Sequence, residues 1–256
     1  MGKKLFTVSY DDGTEQDRRI ISLMEQYGIK GTFNLSSGLF GKKSYIRLID
    51  GRGRSAAEKD EAHPGQYVDH FILSKEEALR TYSHPNVEVA SHGTHHLVQN
   101  ALSREDAREE IARDVEALSG LFGYPIVGHA FPKNSYNENV LDALRDSGVR
   151  YARRACHLQK PRDFFFDKNA FLIMPTCSQL DPFAEELLRE FIAAPACKED
   201  MVFFLWGHGY ELDYGTELGS FAHLEKLFQM VSAAKDVRCV TNRELFDTEN
   251  CGIKQK

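Results

Sequence analysis

A chain of 256 residues, 42% hydrophobic and 27% charged, can bury a full core, either as one barrel-sized α/β domain or as two smaller ones. With a net charge of -6 and no basic patch, it lacks the electrostatic footprint of a nucleic-acid binder. Its five cysteines have no CxxC spacing and fit scattered reduced thiols, not a disulfide framework or a zinc knuckle.

The first apolar run, "LFTVSY", is too short for a signal peptide and no stretch is long enough to span a membrane, so a cytoplasmic location is the expectation. Residues 5–9 read as a buried strand that ends on Asp11, Asp12 and Gly13. Neighbouring side chains on an extended backbone point to opposite faces, so two carboxylates here either open a turn or serve two separate tasks. Asp12-Gly13 alone is ordinary turn chemistry. Ile20, Met24 and Tyr27 then recur at the spacing of one helical face, and Gly28 closes that helix.

"IKGTFNLSS" returns to strand. The polar stretch that follows, residues 45–70 in round terms, reads as a surface insertion, a loop or lid. A helix at 75–82 and a strand at 87–90 come next. A long helix then starts at Ser103, in a capping-box-like Ser-Arg-Glu-Asp, with Ala107, Ile111, Val115, Leu118 and Phe122 as its apolar stripe. The same rhythm continues through a strand at 126–131, a helix at 137–147 closed by Gly148, and strands near Tyr151 and at 171–174. A helix at 182–192, a strand at 201–206, a helix at 221–234 and a strand at 237–240 complete it. Such alternation predicts an α/β fold of parallel strands and crossover helices, one domain over residues 1–250 with a tail at 251–256.

Functional groups in parallel α/β folds gather at the carboxyl ends of strands. Asp11 and Asp12 end one strand, and "SHGTHH" ends another, with His92 and His96 spaced to aim two imidazoles at one point. Two imidazoles and one carboxylate make a three-ligand set for a catalytic metal, leaving the second aspartate to accept a proton. Residue spacing leaves open which aspartate does which. A third strand end, "MVFFLWGHGYEL", offers His208 as a proton donor to a leaving group. His95 is expected to point away from the ligands. His63, His70 and His84 are expected in solvated loops, Cys177 and Trp206 in the core, and Glu211 and Asp213 in a solvated loop.

Taken together, these motifs resemble those of the polysaccharide deacetylases, the NodB homology domain of carbohydrate esterase family 4. "SYDDG" matches the family's first strand end, "GIKGTFNL" its Gly-x-x-x-Thr-Phe strand, and "HGTHH" its His-(Ser/Thr)-x-x-His motif, with Gly93 where Ser or Thr is usual. The resemblance implies a distorted, seven-stranded (β/α) barrel. It also implies that Asp12, His92 and His96 hold a divalent metal, zinc first and cobalt, manganese or nickel as alternatives. In that scheme Asp11 is the general base and His208 the general acid. Two departures stand out: "AFPKN" puts Ala130 where the family has an arginine beside the base, leaving the Lys133 backbone N–H as a candidate oxyanion donor. The family's acidic partner of the acid histidine is not recognisable in "LIMPTCSQLDPF", where Asp181 is the nearest candidate. The implied activity is deacetylation of an N-acetylated amino sugar or small glycan. Hydrolysis of a small cyclic amide or imide on the same scaffold, or a glycan-binding or regulatory role with a degenerate site, are the alternatives.

Overall fold

The computed structural model of the chain describes residues 2–49, 52–155, 164–195 and 197–246; Cys156, Cys251 and the tail expected at 251–256 lie outside them. The first strand, β1 (Lys4–Asp11), is buried at every position, as a strand covered on both faces must be. Helix α1 (Asp17–Tyr27) ends at Gly28 in the left-handed conformation (φ 67°) that suits glycine. Strand β2 (Gly31–Leu35) follows.

The polar insertion is not a loop. It forms a separate antiparallel sheet, with β3 (Lys43–Ile49) in the centre, β4 (Arg52–Ala56) on one side and β5 (Tyr67–Phe71) on the other. The pairing of β3 with β4 runs outward from Ile49 and Arg52, on either side of Asp50-Gly51, a dipeptide that is strong hairpin chemistry in the sequence.

Helix α2 (Lys75–Tyr82) opens with a complete Ser74/Glu77 capping box, and β6 (Val87–Ser91) leads to α3 (Arg104–Phe122), capped by Ser103. The chain continues through β7 (Gly128–Ala130), α4 (Glu138–Asp146), β8 (Tyr151–Arg153), β9 (Leu172–Ile173) and β10 (Cys177–Ser178). It then runs through α5 (Ala184–Ala193), β11 (Met201–His208), α6 (Phe221–Ala233) and β12 (Val237–Cys239).

Among the described residues the main sheet has nine strands against the seven expected, in the order β10-β11-β1-β2-β6-β7-β8-β9 with β12 beside the start of β1. Every pairing in it is parallel, as the alternation of strands and helices predicts. The strand read at 171–174 is β9, shortened to two residues; the strand missing from the chain-order reading is β10, also of two residues, below what a periodic pattern can signal. No described helix is long and apolar enough to cross a membrane, and no disulfide joins the described cysteines Cys177, Cys197 and Cys239.

Strand parity decides what reaches the site. Phe6, Val8 and Tyr10 pack in the large apolar cluster under the helices, whereas Leu5 belongs to a smaller one on the opposite face, which includes Tyr151, Val202 and Phe204. With a two-residue period, that inner face receives Asp11 from β1, Arg153 from β8, and Trp206 and His208 from β11. These side chains converge inside the curled sheet because they share the parity of an apolar plug lower down.

Candidate active site

Asp12, His92 and His96 come together at the carboxyl ends of β1 and β6. Asp12 Oδ1 lies 3.6 Å from Nε2 of each histidine, and one donor atom from each of the three residues falls within 4.8 Å of the others. His92 Nδ1 is 2.7 Å from the Ala130 carbonyl oxygen, which only accepts; Nδ1 therefore carries the proton and Nε2 presents its lone pair. Burial, helped by His92, lowers His96 to about 4, so its imidazole is neutral at pH 7. Two imidazoles and a carboxylate facing one point fit a divalent ion with open positions.

The loop carrying the histidines is braced by two buried acids of α3. Asp114 accepts from Ser91 Oγ (2.6 Å) and from the His92 backbone N–H (3.3 Å), and Glu110 accepts from the backbone N–H and Nδ1 of His95. His95 thus points away from the other two, as expected. Gly93 replaces the family's Ser or Thr for a steric reason: its φ is 74°, and a Cβ there would lie 3.0 Å from Gln99 Nε2 and 3.2 Å from Glu110 Oε1. Among the described residues, four other than glycine adopt positive φ, namely Asp12, His96, Lys133 and Asn134, and all four line the same cavity. Clustering of such backbone outliers is a mark of functional sites.

Asp11 is buried. Asn34 Nδ2 donates to its Oδ1 at 2.8 Å, and Arg153 Nη2 lies 2.5 Å from both of its oxygens. Burial pushes this carboxyl up, but the Arg153 guanidinium, with His92 and His208 nearby, holds it below the usual carboxylate range. The arginine missing at position 130 is therefore supplied from the next strand, where Arg153 stands in direct register with Ala130. Its guanidinium packs over Trp206, 5.0 Å from the ring centroid. Trp206, expected in the core, is indeed buried and also lines the cavity.

His208 pairs in register with Asp11, and its Nε2 is 3.9 Å from Asp11 Oδ2. Its acidic partner is Glu211, not a residue of the "LIMPTCSQLDPF" segment. Glu211 Oε1 is 2.9 Å from His208 Nδ1, and Glu211 Oε2 accepts from the His208 backbone N–H and from Gln179 Nε2. Expectation had put Glu211 in a solvated loop, but its side chain is only 12% exposed. Asp181 instead caps the approach to α5 by accepting from the Phe183 N–H. Burial alone would lower His208; Glu211, with Asp12 and Asp11 beyond it, outweighs that and raises it to about 9. A raised pKa means that these contacts stabilise the fold fully below about 6.5 and lose that contribution as pH rises through about 9. If protonated His208 is needed for turnover, kcat/KM falls on that alkaline limb, and Glu211→Gln moves the limb to lower pH. A pH–rate profile with the limb unmoved in the variant would remove Glu211 from that role.

His70 is a second correction. Expected in a solvated loop, it lies on β5 with its side chain 15% exposed, and its Nε2 is 3.0 Å from Asp12 Oδ2. His63 does stay exposed, paired with Asp60, and Cys177 is core. The cavity has a volume of about 660 Å³; Lys133 lies on its rim, Tyr210 stacks beside His208, and the inserted sheet forms one wall.

The sequence profile of the polysaccharide deacetylases matches residues 1–152, more than half of the chain. No curated protein sequence matches it. Solved structures share the fold at low identity. One is the Bc1960 peptidoglycan N-acetylglucosamine deacetylase in complex with 4-naphthalen-1-yl-N-oxidanyl-benzamide (16% identity, 96% of this chain and 90% of that one, TM-score 0.57). Another is a family 4 carbohydrate esterase from Streptomyces lividans in complex with acetate (12%, 93% and 93%, 0.54). A third is a family 4 pseudoenzyme from Bacillus anthracis (16%, 96% and 66%, 0.55). On its matched profile, its parallel curled sheet and the motifs at the ends of its strands, this chain belongs to the polysaccharide deacetylase family.

Proposed function

We propose that the protein is a metal-dependent deacetylase that hydrolyses the N-acetyl amide of an amino sugar or small glycan. The observation that carries this reading is a buried carboxylate and an imidazole 3.9 Å apart, Asp11 Oδ2 and His208 Nε2, each with its own charged partner. Arg153 favours the ionised form of Asp11, and Glu211, 2.9 Å from His208 Nδ1, favours the protonated form of His208. An acid and a base poised this way at neutral pH are what amide hydrolysis requires.

Asp12, His92 and His96 would hold a divalent ion, zinc first, and with it bound the site would gain Lewis-acid polarisation of the acyl oxygen and a lowered pKa for water. Asp11 Oδ2 accepts the proton of the attacking water. The Lys133 backbone N–H hydrogen-bonds the oxyanion as it develops, and the Arg153 guanidinium keeps Asp11 turned toward the water. His208 Nε2 then gives its proton to the departing amine, which leaves poorly as an anion.

A cavity of about 660 Å³ has room for a monosaccharide or a short glycan, and for a small cyclic amide or imide as well. A degenerate site is disfavoured, since base, arginine, acid, acidic partner and three donors are all present. Metal content of the purified protein, measured with acetate release from a panel of acetylated amino sugars and ring opening of cyclic amides, tests the reading. About one divalent ion per chain is expected in wild type and little in His92→Ala or His96→Ala. Equal metal in all three proteins would sink the site, and metal without turnover on any substrate would leave only a binding role.

A further inference from the structure

The inserted sheet does more than wall the cavity. Its strand β5 is tied by backbone contacts to the turn that carries Asp12: Leu73 N–H donates to Gly13 O (3.0 Å), Thr14 and Ile72 form a bridge, and Glu15 N–H donates to Phe71 O (2.9 Å). Gln16 Nε2 adds a side-chain tie to Asp69 O at 3.0 Å. These ties hold β5 against residues 13–16, so that His70 meets Asp12 at a set distance.

The two oxygens of Asp12 are divided. Oδ1 faces His92 and His96, and Oδ2 lies 3.0 Å from His70 Nε2. A carboxylate only accepts, so Nε2 donates in this contact. Ser44 Oγ, on the residue directly opposite in the β3–β5 register, is 2.9 Å from Nδ1 of the same ring. The imidazole is also packed edge-on against Tyr210, with centroids 4.9 Å apart. The ring is therefore fixed in place and in tilt.

We propose that His70 is a positioning residue that holds Asp12 with Oδ1 turned to the metal, which makes the inserted sheet part of the metal site. This rests on the reading of Asp12, His92 and His96 as metal donors. Without the contact on Oδ2 the carboxylate is released to rotate, and ordering it again is charged against metal affinity. Partners of this kind behind a ligand are worth about 10–100-fold in metal affinity. Coupling is reciprocal, so bound metal must in turn favour the seated form of the sheet.

The test uses metal-free full-length protein and zinc, with Kd measured by chelator competition. His70→Ala is expected to bind zinc about 10–100-fold more weakly than wild type. His70→Gln, whose Nε2 can still donate to Oδ2, should recover most of the loss, and Ser44→Ala should show a smaller loss and serves if His70→Ala does not fold. Zinc should slow amide hydrogen exchange across Tyr67–Phe71 in wild type and not in His70→Ala. Wild-type zinc binding with an unchanged Kd in His70→Ala and Ser44→Ala would overturn this inference alone. A loss of affinity that His70→Gln does not rescue would make His70 a ligand or a merely structural group, and would overturn it too. Wild-type protein that binds no zinc would overturn it together with the metal reading beneath it.

Discussion

His208→Ala is expected to lower kcat on an amide substrate by about 10²–10⁴, the usual range for a positioned general acid, and to cost far less on an activated ester such as a nitrophenyl acetate. The difference follows from the leaving group: an amine needs a proton as it departs, and a nitrophenolate does not. Metal content should not change, because His208 Nδ1 is engaged by Glu211, its Nε2 lies 3.9 Å from Asp11, and the three-residue donor group is Asp12, His92 and His96. Amide and ester turnover are to be measured side by side with elemental analysis. Equal losses on both substrates, or lost metal, would show that His208 orients water or ligates instead of donating a proton.

The two adjacent aspartates should separate as sharply. Asp11→Asn is expected to reduce turnover by about 10²–10⁴ while metal stays bound, since the amide cannot accept the proton of the attacking water. Asp12→Asn is expected to weaken the metal instead. Asparagine suits both tests: it keeps the size of the side chain, and it tolerates the positive φ of 76° at position 12. Asp11→Asn also leaves the buried Arg153 guanidinium facing a neutral group, so the fold should lose up to about 3–5 kcal/mol, readable by urea denaturation. Metal titration of both variants decides the roles. The reverse pattern, with metal lost from Asp11→Asn and kept by Asp12→Asn, would exchange them.

The parts of this site visible in the sequence are those announced by a strand end. The apolar run before Asp11 and Asp12, the one before "SHGTHH" and the one before His208 each say where a chain leaves the sheet, and the parallel alternation says that those exits lie together. The stripe of α1 and the Gly28 cap were legible for the same reason, because each follows from local chemistry.

The residues that escaped are defined by neighbours in space. Arg153 lies on a three-residue strand and matters only through its register with Ala130. Glu211 was visible as a His-x-x-Glu spacing, yet one turn of polar sequence after a strand reads as solvent until the burial of His208 is known. His70 sits on a short strand of a partly exposed sheet, which lacks the apolar alternation that marks a strand in sequence. The count of seven came from the family resemblance; residue patterns gave every strand of the main sheet except β10, a dipeptide.

The register of Ala130 with Arg153 bears on how dead relatives are told from living ones. Adjacent parallel strands lie about 4.8 Å apart, and in-register side chains leave the sheet on the same face, so a long flexible guanidinium can serve one carboxylate from either strand. A motif inspected column by column would count an alanine at 130 as a lost arginine and would class the chain with the pseudoenzymes. In this chain an arginine stands one strand across the sheet, at a residue just beyond the segment that the family profile covers. Catalytic competence in this fold is thus a property of a layer of the sheet, and a substitution in one column is evidence of decay only when the same layer of the adjoining strands has been read as well.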